Sequence, residues 1–285
     1  MKIKALLAAT GAAALLASAA AAQTGGPDDD NLIVNGEITI STDAPAPEHM
    51  EYVRTIYSGW RFRADETQSL QMDDFDNPAF IFVDQALDDW NTVEGTANES
   101  CASCHGEAES LRGLRAELPK WNADKGEVYT AEMYVNECRT ERMGAEPWGW
   151  NSQDMRNMTA LIASVSRGLP INVAIDGPVK ETWEKGKEIY YTRFGQLELA
   201  CANCHEDNYG TMIRADHLSQ GQTNGFPVYR LKQANLVSQH NRFRGCIRDT
   251  RAHTFQPGSD EFVALQLYVA SRGNGLMVEG PSVRN

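Results

Sequence analysis

Cys101-Ala102-Ser103-Cys104-His105 and Cys201-Ala202-Asn203-Cys204-His205 are two copies of C-x-x-C-H, one hundred positions apart. C-x-x-C-H is the attachment pattern of a c-type haem. The two thiols add to the haem vinyl groups, and the adjacent His offers an axial nitrogen to iron. A pair of redox or zinc C-x-x-C motifs is the competing account. His follows the second Cys directly in both copies, and no thioredoxin-like βαβ pattern surrounds them, so the haem account is preferred. Two covalently bound haem c groups are expected, with Cys101, Cys104, Cys201 and Cys204 as attachment points.

Working outward, each box sits in the same local plan. A helical stretch precedes it: Ala79 through Trp90 in the first, and Trp183 through Gly186, Ile189, Tyr190 and Phe194 in the second. A long loop-rich stretch with one extra cysteine follows. Each unit closes with an apolar-periodic helix that runs into Ser-Arg-Gly, at Ser166-Arg167-Gly168 and Ser271-Arg272-Gly273. Ser152 and Ser259 suit N-caps, and Gly168 and Gly273 suit C-terminal stops. The fold class expected is mostly α, as two class I cytochrome c-like domains in tandem, each built around one covalent haem. The boundaries are 51–176 for the first domain and 177–285 for the second, with Gly177-Pro178 at the join.

The ends complete the plan. Lys2 and Lys4 precede an uncharged, alanine-rich stretch that ends in Ala20-Ala21-Ala22. This is the layout of a secretory signal peptide over 1–22; a retained membrane anchor is the alternative, and the alanine content makes it marginal for spanning. Residues 23–50 are rich in Pro, Gly and Asp and suggest an extended N-terminal arm or mobile tail. No later stretch is long and apolar enough to span a membrane. A formal charge of −13 and the lack of any basic run argue against nucleic-acid partners.

Six cysteines are present, and four belong to the boxes. The other two, Cys138 and Cys246, fall one per unit between the box and the closing helix, where a distal iron ligand must arise. Met133, Met143, Met155 and Met158 in the first unit and Met212 in the second are the thioether alternatives, which would raise the potential; a thiolate lowers it. A Cys138–Cys246 disulfide is a third possibility in an oxidising compartment. Around Cys138 two acids face two bases. Around Cys246 stand Arg242, Arg244, Arg248 and Arg251 against Asp249. Such a field lowers a thiol's pKa and attracts an oxyanion. Cys246 is therefore the candidate reactive centre and Cys138 the candidate simple ligand. His49, His217, His240 and His253 have no assignment, although His240 lies close to the arginines. Trp148 and Trp150 are expected to pack against haem or core.

Two C-x-x-C-H boxes, one spare Cys in each repeat and the stretch Arg242-Phe243-Arg244-Gly245-Cys246 resemble the SoxA family, over essentially the whole mature chain. SoxA proteins are the dihaem subunits of the SoxAX cytochromes of bacterial thiosulfate oxidation. The resemblance implies His/Cys ligation of both irons, pairing His105 with Cys138 and His205 with Cys246. It implies that Cys246 is catalytic, as a persulfide, and that Arg242 contacts the sulfur substrate. It also implies L-cysteine S-thiosulfotransferase activity in the periplasm. Thiosulfate is joined oxidatively to a cysteine of the SoxYZ sulfur carrier, and electrons pass to a soluble cytochrome c acceptor. The implied partner is the monohaem cytochrome SoxX, in a heterodimer. A dihaem electron carrier without substrate chemistry and a thiosulfate dehydrogenase are the alternatives. A dihaem peroxidase fits less well, because each haem has a spare ligand on offer.

Overall fold

A computed structural model describes residues 30–214 and 216–285. The expected signal peptide, 1–22, and the start of the arm lie outside the described residues. About 41% of the residues are helical against 15% in strands, so the chain is mostly α.

Eight helices organise the molecule around the boxes. They are α1 (Phe80–Asn91), α2 (Cys101–His105), α3 (Ala131–Glu137), α4 (Gln153–Ser164), α5 (Lys180–Tyr191), α6 (Cys201–His205), α7 (Gln239–Asp249) and α8 (Asp260–Ser271). Helix α1 packs on α4, and α5 packs on α8. Each pair joins the helix before a box to the helix that closes its unit. The closing helices start where the sequence places them. Ser152 accepts a hydrogen bond from the Met155 amide, and Ser259 from the Phe262 amide, satisfying N–H groups that the helix leaves unpaired.

The two crossings differ in closeness. Ala86, fully buried, lies in the first. One hundred positions later stands Gly186, where an added Cβ would lie 2.0 Å from the carbonyl oxygen of Ala264. Backbone meets backbone there, which only glycine permits. Helix α8 is buried on every side from Phe262 to Ser271, as suits a central helix.

Three expectations need adjusting. Helix α5 ends at Tyr191, and Phe194 lies beyond it in a bridge to Leu199. Gly168 has a φ of +77° and ends the first closing helix as a left-handed stop, but after α8 the left-handed residue is Gly275, at +95°, not Gly273. Packing is continuous across the expected join at 176/177. Ile171 exchanges backbone hydrogen bonds with Leu276 and Gly275, both at 2.9 Å. Ala116, Val128, Ile171 and Val173 share one apolar cluster with α5 and α8, while Leu236 packs in the first unit's cluster.

The stretch 30–50 is extended but not loose. Asn31–Val34 and Ile38–Ser41 form an antiparallel hairpin. Its turn has Asn35 at φ +55° and Gly36 at +70°, the backbone of a type I′ turn. Leu32, Val34 and Ile40 are buried against Trp60, with Met277 alongside. Asp43–Pro45 pairs with Thr55–Tyr57. This N-terminal layer covers the C-terminal segment and continues to Arg63.

His240 lies inside the core. It stacks on Trp150 with ring centroids 4.8 Å apart and accepts the Gly258 amide hydrogen at Nδ1, 3.0 Å away. Burial lowers its pKa to about 3, against hydrogen bonds that would raise it. An unfolded His titrates near 6.5. As pH falls below about 6.5 the unfolded chain therefore gains a proton that the folded chain refuses until about 3. Stability is lost across that window and is unaffected above it. His240→Gln is expected to flatten this acid slope, read as denaturation midpoints from pH 7 to pH 4; an unchanged slope would contradict the assignment.

Candidate functional site

The chain around the first box is built from local caps. Ser100 and Ser103 form a reciprocal capping box at the start of α2, with hydrogen bonds of 3.1 and 3.0 Å. Ala200 keeps only half of this arrangement at α6, its amide donating to Asn203 Oδ1 at 2.9 Å. Behind the first box, Trp90 Nε1 donates to the Gly106 carbonyl at 2.9 Å, and its ring lies 5.8 Å from that of His105.

In both units a glycine brings the spare cysteine to its box. A Cβ on Gly95 would lie 2.1 Å from the Met143 carbonyl oxygen, and one on Gly195 2.2 Å from that of Thr250. Met143 ends the π-helical turn Cys138–Met143 that extends α3, and Thr250 follows α7. The loop before each box is thus seated directly on the chain after each spare cysteine. Arg139 strengthens the first contact, with Nη2 2.6 Å from Glu94 Oε2 and its guanidinium 4.0 Å from the Trp148 ring centre. Trp148 and Trp150, expected to pack, do so against Arg139 and His240.

All six cysteines are free. Cys138 lies within electrostatic reach of Cys101 and Cys104, and Cys246 of Cys201 and Cys204. Each spare cysteine therefore faces its own box, and no disulfide links them. The buried methionines Met143, Met155 and Met158 are core residues, while Met212 is exposed.

The two thiols have opposite environments. Burial, then Glu137, pushes the Cys138 thiol up, and Arg142 only partly offsets this. Burial also raises the Cys246 thiol, but Arg242, with His205 acting in the same direction, outweighs it and brings the pKa down to about 7. Arg242 stands one helical turn before Cys246 on α7, so both side chains project from the same side. His205 is itself held: its Nδ1 donates to the Ser219 carbonyl at 2.7 Å. That bond fixes the tautomer and leaves Nε2 free toward Cys246. An imidazole with Nδ1 already committed, a thiol opposite it and two box thiols alongside form the donor set that a covalent, axially ligated haem requires.

Beside α7 opens a cleft of ≈ 450 Å³ whose lining includes Arg230, Lys232, Arg242, Arg244, Arg248 and Asp249. Arg248 pairs with Asp249 at 3.1 Å. Among the described residues, Lys232, Arg242 and Arg244 make no ion pair, while Arg230 donates through Nε to the Asn285 main-chain oxygen at 2.7 Å. The cleft is therefore strongly cationic within a chain of charge −13. Arg230 and Lys232 escape the sequence reading, because nothing in their flanks marks them; folding brings the strand Val228–Arg230 beside α7. His253 also lines the cleft, while His49 packs edge-on to Trp183 at 5.3 Å. No helix among the described residues is long and apolar enough to cross a membrane.

Residues 85–171, which include the first box, match the family model SoxA/TsdA, cytochrome c domain. Curated relatives span the greater part of the chain. The L-cysteine S-thiosulfotransferase subunit SoxA of Rhodovulum sulfidophilum is 60% identical, over 89% of this chain and 89% of that relative. The SoxA subunit of Paracoccus pantotrophus is 59% identical, over 88% and 87%. A chain from the crystal structure of SoxXA from P. pantotrophus superposes with a TM-score of 0.88 at 56% identity, covering 91% of this chain and 99% of that one. With relatives this similar over this much of its length, and with a C-x-x-C-H helix inside the matched cytochrome c domain, the chain belongs to the SoxA family of c-type cytochromes.

Proposed function

We propose that the chain is the dihaem, catalytic subunit of an L-cysteine S-thiosulfotransferase. Its two cytochrome c-like units each hold one covalent haem. His105 and Cys138 ligate the first iron, and His205 and Cys246 the second. The match to the SoxXA chain supports a SoxX partner; a monohaem character for SoxX, a SoxYZ carrier, a soluble cytochrome c acceptor and a periplasmic location belong to the same proposal. The observation that carries the reading is the position of Cys246. It faces His205 and lies one helical turn from Arg242, which lines an open cationic cleft together with Gly245.

In this reading Arg242 holds the thiosulfate dianion by forked, charge-assisted hydrogen bonds. The Cys246 thiolate and the outer sulfur of thiosulfate form a sulfur–sulfur bond and release two electrons. When bound, the haem supplies the one-electron redox chemistry that accepts them. A thiolate of the carrier then attacks the transferred sulfur, takes the thiosulfate group and leaves Cys246 as thiolate. This exchange needs an accessible sulfur with a good leaving group. Cys246 is half-buried, and its helix neighbours Arg242 and Gly245 line the open cleft.

Two measurements follow. Mixing the holoprotein and its SoxX partner with SoxYZ, thiosulfate and ferricytochrome c is expected to add one thiosulfate group to the carrier's mass, with two cytochromes reduced per group. Cytochrome reduction without carrier, yielding tetrathionate, would instead make the chain a thiosulfate dehydrogenase. Arg242→Gln is expected to lower kcat/KM for thiosulfate about 10–100-fold, as loss of a charged hydrogen bond of about 1.5–3 kcal/mol implies. Most of that loss is expected in KM, and an unchanged KM would remove Arg242 from the substrate site.

A further inference from the structure

We infer that the N-terminal layer is a positioning clamp for His205, acting through Gln220 and Arg63. The inference rests on His205 being an axial ligand of the second haem, as proposed above. The segment Asp216 to Gly221 carries the carbonyl of Ser219 that receives His205 Nδ1–H. Its first half pairs with Met212–Ile213, and Leu218 exchanges backbone hydrogen bonds with Gly210 and Thr211, but Ser219 to Gly221 lie beyond that hairpin and Gln220 ties them to another layer. Gln220 is fully buried and spends both ends of its amide on the strand Thr55–Tyr57. Its Oε1 accepts the Tyr57 amide hydrogen at 2.8 Å, and its Nε2 donates to the Thr55 carbonyl at 3.1 Å. Arg63, almost fully buried, donates through Nη2 to the His217 carbonyl at 2.8 Å and pairs through Nη1 with Asp216.

The fit against the imidazole is close. Gly221 has a φ of +74°, and a Cβ there would lie 2.9 Å from His205 Cγ. The segment thus bears on the ring from two sides, and residues 55–63 hold it in addition to its own hairpin pairing. The first box has no counterpart. Among the described residues no hydrogen bond is seen at the His105 imidazole, and its aromatic neighbour is Trp90. The clamp therefore acts on one box and not on the other. A fixed Nδ1–H···O=C bond sets the plane of the ring and raises its basicity as a ligand, which favours ferric iron. Gln220 and Arg63 are positioning residues: they touch neither substrate nor iron and act through Ser219 and His205.

The test uses the oxidised holoprotein in complex with its partner, after intact mass has counted the haems. Low-temperature EPR and a redox titration are recorded for Gln220→Ala, for Gln220→Glu, and for Arg61→Gln as control. Arg61 ties the same layer to Asp30 and Asp43 at 3.0 and 3.1 Å and does not touch the 216–221 segment. In Gln220→Ala, one low-spin signal of this chain is expected to change its g-values, and the matching midpoint to rise, while the other haem stays as in the parent. Gln220→Glu keeps the acceptor for Tyr57 and loses the donor to Thr55, so a smaller shift of the same haem is expected. It carries the test if the alanine variant does not fold. Arg61→Gln is expected to move neither haem. Lowered thermal stability with both haem signals unmoved would overturn the clamp, as would equal shifts in both haems. A chain bearing one haem would overturn the site assignment and the clamp together, whereas two haems with unmoved signals would overturn the clamp alone.

Discussion

Cys246→Ala is expected to abolish thiosulfate transfer, by about 10³-fold or more, while both haems stay attached. Attachment depends on Cys201 and Cys204, which the substitution leaves alone. In the proposed mechanism turnover depends on the Cys246 sulfur, because it forms the bond that takes the thiosulfate group. Removing a nucleophile costs orders of magnitude, where removing a binding contact costs tens-fold. The environment of the thiol agrees with this division of labour. Arg242, with His205 acting in the same direction, holds its pKa at about 7, whereas Cys138 is pushed up by burial and Glu137. Cys138→Ala is accordingly expected to change the spectrum of the first-box haem and to retain turnover. Carrier-modifying activity that survives Cys246→Ala would reduce the chain to an electron carrier.

Gly186→Ala is expected to destabilise the protein by about 3 kcal/mol or more, the upper end of the range for overpacked cores. For a chain of this size that corresponds to a fall in Tm of roughly 6–12 °C. The sign opposes helix propensity, since Ala is favoured over Gly within a helix by about 0.5–1 kcal/mol. The cause is the crossing of α5 and α8. The new methyl carbon would meet the Ala264 carbonyl oxygen at 2.0 Å and its carbon at 2.6 Å, and both are backbone atoms that no rotamer change can move. The helices must separate, and Trp183, Ile189 and Tyr190 would then lose contact with Leu265 and Tyr268. Calorimetry of the two holoproteins checks this; an unchanged or raised Tm would mean that the helices do not approach so closely in solution.

Much of this was legible in the sequence because haem attachment leaves a local mark. The boxes, the helices before and after them, and the caps Ser152 and Ser259 are short-range features. The hundred-residue repeat makes them visible twice. The contrast between Cys138 and Cys246 was also legible, because α7 carries its arginines within a few residues of the thiol. What escaped depends on long-range packing. The Asn35-Gly36 turn, flanked by Leu32, Val34, Ile38 and Ile40, carries a hairpin signal that the surrounding Pro and Asp obscured. Arg230 and Lys232 join the cleft only when the Val228–Arg230 strand pairs with Asn235–Val237 and Ser282–Arg284. His240 looked close to the arginines by number, but its helix turns it away from them, onto Trp150 and Phe262. Packing across position 177 was hidden for a similar reason: Ala116, Val128, Ile171 and Val173 join the cluster of α5 and α8, and Leu236 joins that of α1 and α4.

The central claim is that each box holds a haem whose iron is ligated by the spare cysteine of the same unit. Low-temperature EPR of the oxidised holoprotein tests it most directly. The account predicts two low-spin ferric signals from this chain, both with the narrow g-spread typical of His/thiolate iron. Signals of the His/Met type, or a single low-spin species, would contradict it.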